Sequence, residues 1–170
     1  MPKHKALPPL AELKKLLNYA PDTGVFTWAA KPSKHISVGA ICGKVLPSGY
    51  RSITVFKQAY YAHRLAYYIS TEVDPGCFTV DHINLNKDDN AICNLRLATY
   101  SQQGANRSIQ PNNTSGHKGV VWHKKAGKWW ARIKIDKHQK SLGLFDTKEE
   151  AAAAYEKAAT LYFDKFARSA

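Results

Sequence analysis

Along the chain the spacing of apolar positions changes period several times, and each change marks an element. After Pro8 and Pro9, Leu10, Leu13, Leu16 and Leu17 recur at helical spacing and predict a first helix ending near Asn18. Asp22, Thr23 and Gly24 form a turn signal ahead of the strand-like Val25, Phe26, Thr27 and Trp28. Residues 31–44 hold no period. Ser48 and Gly49 then open a hairpin in which Tyr50, Ser52, Thr54 and Phe56 alternate with Arg51, Ile53 and Val55, and Lys57 and Gln58 supply the turn. Over 60–69 the pattern becomes helical, with Ala62, Leu65, Ala66 and Ile69 on one stripe, and Asp74, Pro75 and Gly76 end it. Phe78, Thr79 and Val80 form a short apolar strand that runs into Asp81 and His82. A polar loop follows over 84–90, then a second short strand of Asn94, Leu95, Arg96 and Leu97, then a helix over 99–106.

Residues 108–116 are polar, rich in Asn and Ser, without apolar periodicity, and are assigned to a linker. Beyond them three strand-like runs appear at 119–123, 128–135 and 140–145. A helix starts at Thr147, where Thr147 and Glu150 fit a capping box, and Ala151, Ala154, Tyr155, Ala158 and Tyr162 make its apolar stripe. Three strands backed by one helix form a compact unit, so the fold class is α+β with a first domain over 1–107, a linker over 108–116 and a second domain over 117–170. The two halves share no repeat.

The charge balance narrows the partner. The 170 residues carry 25 Lys or Arg against 13 acids, a formal net charge of +12, which favours a polyanion, and nucleic acid is the commonest one. With 44% hydrophobic and 11% aromatic residues the chain can bury cores. No apolar run reaches membrane-span length, and the N-terminus lacks the apolar segment of a secretory signal, so a cytoplasmic protein without membrane contact is expected. Cys42, Cys77 and Cys93 are odd in number and none sits in a CxxC pair, which argues against a disulfide framework or a four-ligand zinc site.

Asp81 and His82 carry the candidate chemistry. A carboxylate is a hard ligand suited to Mg²⁺ or Mn²⁺, and a neutral imidazole is an available base near neutral pH. Phosphodiester cleavage needs both functions. The stretch Val80, Asp81, His82, Ile83 and Asn84, then Asp89 and Asn90, then Asn94 through Thr99, then Asn106 and Arg107, resembles the HNH, or ββα-metal, nucleases, most closely those of phages and mobile introns. Residues 19–27 and the run Ala62, His63, Arg64, Leu65 and Ala66 extend that resemblance over almost all of 10–107. It implies a metal-dependent DNA endonuclease of the homing or mobile-element kind, working in a bacterial or phage-infected cytoplasm with one divalent cation and no small-molecule cofactor. Asp81 matches the first metal ligand, His82 the general base, and Asn94 the asparagine that braces the loop and orients the base. The second ligand of the family comes from the following helix; Gln103 stands where Asn is expected, and Asn106, one turn later, is the alternative. On residue type alone, His63 is read as a hydrogen-bonded packing residue, and Arg64 and Arg96 as either phosphate contacts or solvated side chains.

Between 114 and 145 eight Lys or Arg face a single acid, Asp136. Alternation along 128–135 puts Trp129, Ala131, Ile133 and Ile135 on one face and Trp130, Arg132 and Lys134 on the other. The first set suits the helix; the second is an aromatic-cationic surface suited to phosphates and a DNA groove. Lys118, Gly119 and Val120, then Gly127, Lys128 and Trp129, then Ala131, Arg132 and Ile133, then Leu142, Gly143 and Phe145, and Thr147 through Tyr155 resemble the AP2/ERF DNA-binding domain. That resemblance implies a sheet that docks on double-stranded DNA through Lys118, Trp130, Arg132, Lys134 and Lys140. The rival readings are a DNA-binding protein whose HNH domain is inactive, and an RNA-binding basic protein.

Overall fold

The computed structural model describes residues 5–167 and divides into two compact units, 1–98 and 99–170, each mixed α and β with small antiparallel sheets. In the first unit the helix α1 (Leu10–Leu16) leads into strands β1 (Leu17–Ala20) and β2 (Val25–Trp28). A three-stranded sheet follows, β3 (Lys44–Val45), β4 (Arg51–Val55) and β5 (Gln58–Tyr61), then α2 (Ala62–Thr71) and the hairpin pair β6 (Thr79–His82) and β7 (Leu95–Ala98). Leu13, Leu17, Phe26, Trp28, Ile53, Leu65 and Val80 make a single buried core.

Three boundaries differ from the expected ones, each for a local reason. Leu17 leaves the helix and starts β1, pairing with Trp28, so one apolar side chain closes the helical stripe and opens a strand. Tyr60 and Tyr61 pair with β4 instead of beginning the helix, and Gln58 joins the strand, because the turn is Phe56 and Lys57, with φ of 51° and 63°, the left-handed pair that matches strand twist. The helix α2 runs on to Thr71 and stops at Glu72, whose φ of 58° turns its N–H back to the Tyr68 carbonyl.

The second unit holds α3 (Tyr100–Asn106), strands β8 (Val120–His123), β9 (Lys128–Ile135) and β10 (His138–Phe145), and α4 (Lys148–Phe163). The sheet order is β10-β9-β8, and α4 packs across it over Val120, Ala131, Ala151 and Ala152. The expected capping box of Thr147 and Glu150 is formed at α4, and a second one, Thr99 with Gln102, starts α3. The strand β10 begins at His138, two residues earlier than expected, since the turn is only Asp136 and Lys137. The lone acid Asp136 is held there at φ 45°: Ser101 Oγ accepts from its N–H at 2.9 Å and donates to its carboxylate at 3.1 Å.

The compact division falls ahead of α3, whereas the sequence pattern put that helix with the first domain. Besides the Ser101–Asp136 bonds, Lys118 Nζ donates to the Ala105 carbonyl at 3.0 Å. Nor is the segment before β8 an open tether. Asn113 Oδ1 accepts from the N–H groups of Ser115 and Gly116, and buried Ser115 lies 2.8 Å from the Val120 carbonyl.

Candidate functional site

The strand β6 delivers Asp81 and His82 to the end of a two-stranded ladder, opposite Arg96 and Leu95. Both are buried, His82 at 4% exposure. Arg96 reaches across the ladder, with Nε and Nη2 each 3.2 Å from Asp81 Oδ2. His82 Nε2 lies 3.4 Å from Asn90 Oδ1, a long contact. Asn90 is oriented for it, because its own amide nitrogen donates to the Asp88 carbonyl at 2.9 Å and leaves the oxygen toward the ring. An amide oxygen only accepts, so this pairing assigns the proton to Nε2 and leaves Nδ1 as the basic atom of His82.

Asn90 is 1% exposed and is the residue that sequence reasoning passed over. The first hairpin supports it from below. Tyr19 Oη donates to the Asn90 carbonyl at 2.8 Å, Ile92 N–H bonds the Pro21 carbonyl, and a Cβ at Gly24 would collide with the backbone of Asn90 and Ala91. Asn94 bonds within the same loop. Its Oδ1 accepts from Asn84 N–H at 2.9 Å, and its Nδ2 donates to Asn84 Oδ1 at 3.0 Å and to the Asp89 carbonyl at 2.8 Å. These bonds stay within the loop, while the direct contact with His82 is made by Asn90. From the other side Arg51 grips Asp88 with two bonds of 2.8 and 2.9 Å, and Lys87 bonds the Ser48 carbonyl above the Tyr50 ring.

Burial holds the His82 imidazole below the usual histidine range, against smaller opposite pulls from its Asn90 bond and from Asp81, Asp89 and Asp88, so the free base prevails at neutral pH. His63, at the start of α2, is pushed lower, to about 3, by burial first and then by His82 and Arg64. Among the described residues its Nδ1 is buried without a hydrogen-bond partner, so that nitrogen lacks the bond expected of a hydrogen-bonded packing histidine. Arg64 and Arg96 are both engaged internally. Arg64 donates to the carbonyls of Phe78 and Gly76, and Arg96 pairs with Asp81.

A consequence for acid stability follows. Below pH 6.5 the unfolded chain protonates His63 while the folded chain does not, so the folded state loses stability as pH falls from about 6.5 toward 3. Urea titrations across that range should give a slope approaching about 1.4 kcal/mol per pH unit for this group. His63→Leu should flatten it; an equally steep slope in that variant would assign the acid lability elsewhere.

Among the described residues no group of three or more His, Cys, Asp or Glu is gathered for a metal. The donor chemistry nevertheless fits a Mg²⁺-like ion. Such ions keep several waters and take one or two carboxylates together with substrate phosphate oxygens, and Asp81, paired here with Arg96, is the carboxylate beside His82. A family model described as HNH endonuclease matches residues 60–105. Protein 3.8 of Escherichia phage T7 is 32% identical over 81 residues, covering 48% of this chain and 67% of that protein. The chain belongs to the family of phage T7 protein 3.8 and carries an HNH endonuclease domain. No solved structure matches it.

Within the HNH match, β6 and β7 carry Asp81, His82 and Arg96, while Gln103 lies on α3 and is half-buried. Asn106 follows on the same helix, three residues on, and is buried. The two are therefore one turn apart on neighbouring positions of one helix face.

The second unit presents its own candidate surface. Cross-strand register puts Val121, Trp130 and Leu144 side by side on the face away from α4, with Arg132 beside Ser141 and Lys134 beside Gln139. The outer face is pre-arranged. Trp130 Nε1 donates to Ser141 Oγ at 2.8 Å, the Arg132 guanidinium lies 5.2 Å from the Trp130 ring centre, and Arg132 Nη1 donates to Gln139 at 3.1 Å. Trp130, Arg132 and Lys134 are thus brought together. Lys140 is not: it pairs with Ile133 on the α4 face, and its Nζ bonds Tyr162 Oη at 2.6 Å. Lys118 lies ahead of β8 and is tied to α3. Cys42 is buried as expected of a small apolar residue, whereas Cys77 and Cys93 are exposed. Among the described residues no helix is long and apolar enough to cross a membrane.

Proposed function

We propose that the protein is a metal-dependent endonuclease that hydrolyses phosphodiester bonds of double-stranded DNA. The observation that carries the reading is the buried Asp81–His82 pair at the end of β6, inside the HNH match, with the His82 ring kept as a free base. His82 Nδ1 takes a proton from the attacking water. Asn90 holds the opposite ring nitrogen, and Asn94, Arg51 and Lys87 keep the loop in shape around them. Asp81 would hold one Mg²⁺ or Mn²⁺, which when bound supplies positive charge for the phosphate and the leaving oxygen. By the HNH resemblance, Gln103 or Asn106 would be the second ligand.

The outer face of the β8–β10 sheet serves as an AP2/ERF-like anchor on the duplex, with Trp130, Arg132 and Lys134 toward the DNA. The relative from a phage favours a mobile-element or homing role in the cytoplasm of an infected bacterium. A second reading, a DNA-binding protein with a silent nuclease domain, is favoured by the Arg96–Asp81 pair, which neutralises the carboxylate a cation needs.

Supercoiled plasmid separates the two. The purified chain should nick it with Mg²⁺ or Mn²⁺ and stop on addition of EDTA; no nicking with either ion supports the silent domain. In the active chain, Gln103→Ala should raise the half-maximal Mg²⁺ concentration and Gln103→Asn should lower it, since a longer side chain loses about 1–2 kcal/mol of rotamer freedom when fixed. If both behave as wild type while Asn106→Ala demands far more metal, the second ligand is Asn106.

A further inference from the structure

We propose that His63 is a positioning residue for the base: its ring, packed edge-to-face on His82 at 5.1 Å between centroids, sets the plane in which the His82 imidazole is held. The inference rests on the nuclease reading, in which His82 is the base. An imidazole turns freely about its last torsion, which has broad minima. The Asn90 contact at 3.4 Å restrains one nitrogen and only loosely. The ring plane is met by His63 at 5.1 Å, while Tyr50 stands farther off at 5.9 Å.

His63 is itself held on two sides. Tyr61 stacks on it at 5.3 Å with a 14° interplanar angle, and Tyr50 packs on it at 5.1 Å. Its place in the first turn of α2, at 7% exposure, removes the remaining freedom. Packing alone does not account for an imidazole there. Its Nδ1 is buried without a partner, and an orphaned polar atom lowers stability where an apolar side chain of similar volume would not. Histidine is the residue that supplies a flat five-membered ring, narrow enough to fit between two tyrosines and His82. Burial also keeps His63 uncharged at working pH, so it adds no second positive charge beside His82 when that ring receives a proton.

A residue kept for orientation separates activity from stability. In the full chain, His63→Leu should melt no lower than wild type, and up to about 5 °C higher with the orphan atom removed. Its maximal single-turnover nicking rate should fall about 10–100-fold, since small misplacements of a reacting group cost that much, with half-saturation for duplex DNA within about twofold. His63→Gln is the second ringless variant, should Leu not fold. In a His82→Ala background His63→Leu should change the residual rate by less than about twofold, because its effect runs through the base. The inference is overturned if a folded ringless variant nicks at the wild-type rate. It is also overturned if the loss persists undiminished without His82, or if rate and melting temperature fall together. A wild-type chain that does not nick overturns the nuclease reading, and this inference with it, whereas a normal His63→Leu beside a dead His82→Ala overturns this inference alone.

Discussion

His82→Ala is expected to lower the maximal nicking rate by about 10²–10⁴-fold, the usual contribution of a general base, and to leave duplex affinity within about twofold. The expectation follows from the environment of the ring. His82 is buried at the end of β6, burial keeps it deprotonated at neutral pH, and Asn90 Oδ1 faces its Nε2. Affinity should be spared because the cationic surface lies elsewhere in the chain, on the sheet of the second unit. The measurement is single-turnover nicking of supercoiled plasmid at saturating protein, beside a filter-binding or anisotropy titration on a duplex. A folded variant that nicks at the wild-type rate would remove His82 from the mechanism. One that binds tenfold more weakly would show that the histidine contributes to holding DNA.

The second large effect is on binding. The double variant Arg132→Ala with Lys134→Ala should weaken duplex affinity by about 10–100-fold and make the dependence of log K on log salt shallower by nearly 2, since each phosphate contact releases about 0.9 counterions. Arg132 is held in place by Trp130 and Gln139, so little side-chain freedom remains to be lost on docking. Lys140→Ala is the matched control. It removes the same charge from the same sheet, but from the α4 face, where its ammonium is bonded to Tyr162. Its effect should stay within about threefold. Equal losses from Lys140→Ala and from the double variant would mean that net charge, rather than one face of the sheet, drives binding.

The periodic elements were legible because their signals are local. The alternation of Trp129, Ala131 and Ile133 with Trp130, Arg132 and Lys134 needs only the two-residue repeat of a strand, and the face against α4 is the one it predicts. The capping box at Thr147 and the apolar stripe of α4 are likewise readable within two turns of chain. Boundaries were less legible where one residue serves two elements, as Leu17 does, or where a turn relies on left-handed non-glycine residues such as Phe56, Lys57, Asp136 and Lys137. Residue type alone does not announce that conformation. Lys140 was named through the AP2/ERF resemblance and not through the strand pattern; it pairs with Ile133 on the α4 face, and its Nζ bonds Tyr162 Oη.

By itself, then, the sequence determined the α+β class, the strand carrying Asp81 and His82, and a basic aromatic sheet face. Each of these depends on residues within a few positions of one another. The tertiary structure alone decided which groups meet His82. Asn90 reaches His82 because the turn at Gly24 and the Tyr19 hydroxyl press on its backbone, 71 residues away from Tyr19 in the chain. His63 meets His82 from a different element, and Arg96 meets Asp81 across a ladder. Contacts of this kind are set by how elements pack, and the identities of the partners carry no periodic mark. A buried, partnerless nitrogen leaves no trace in sequence at all, since its cost appears only once neighbouring elements have excluded water from it.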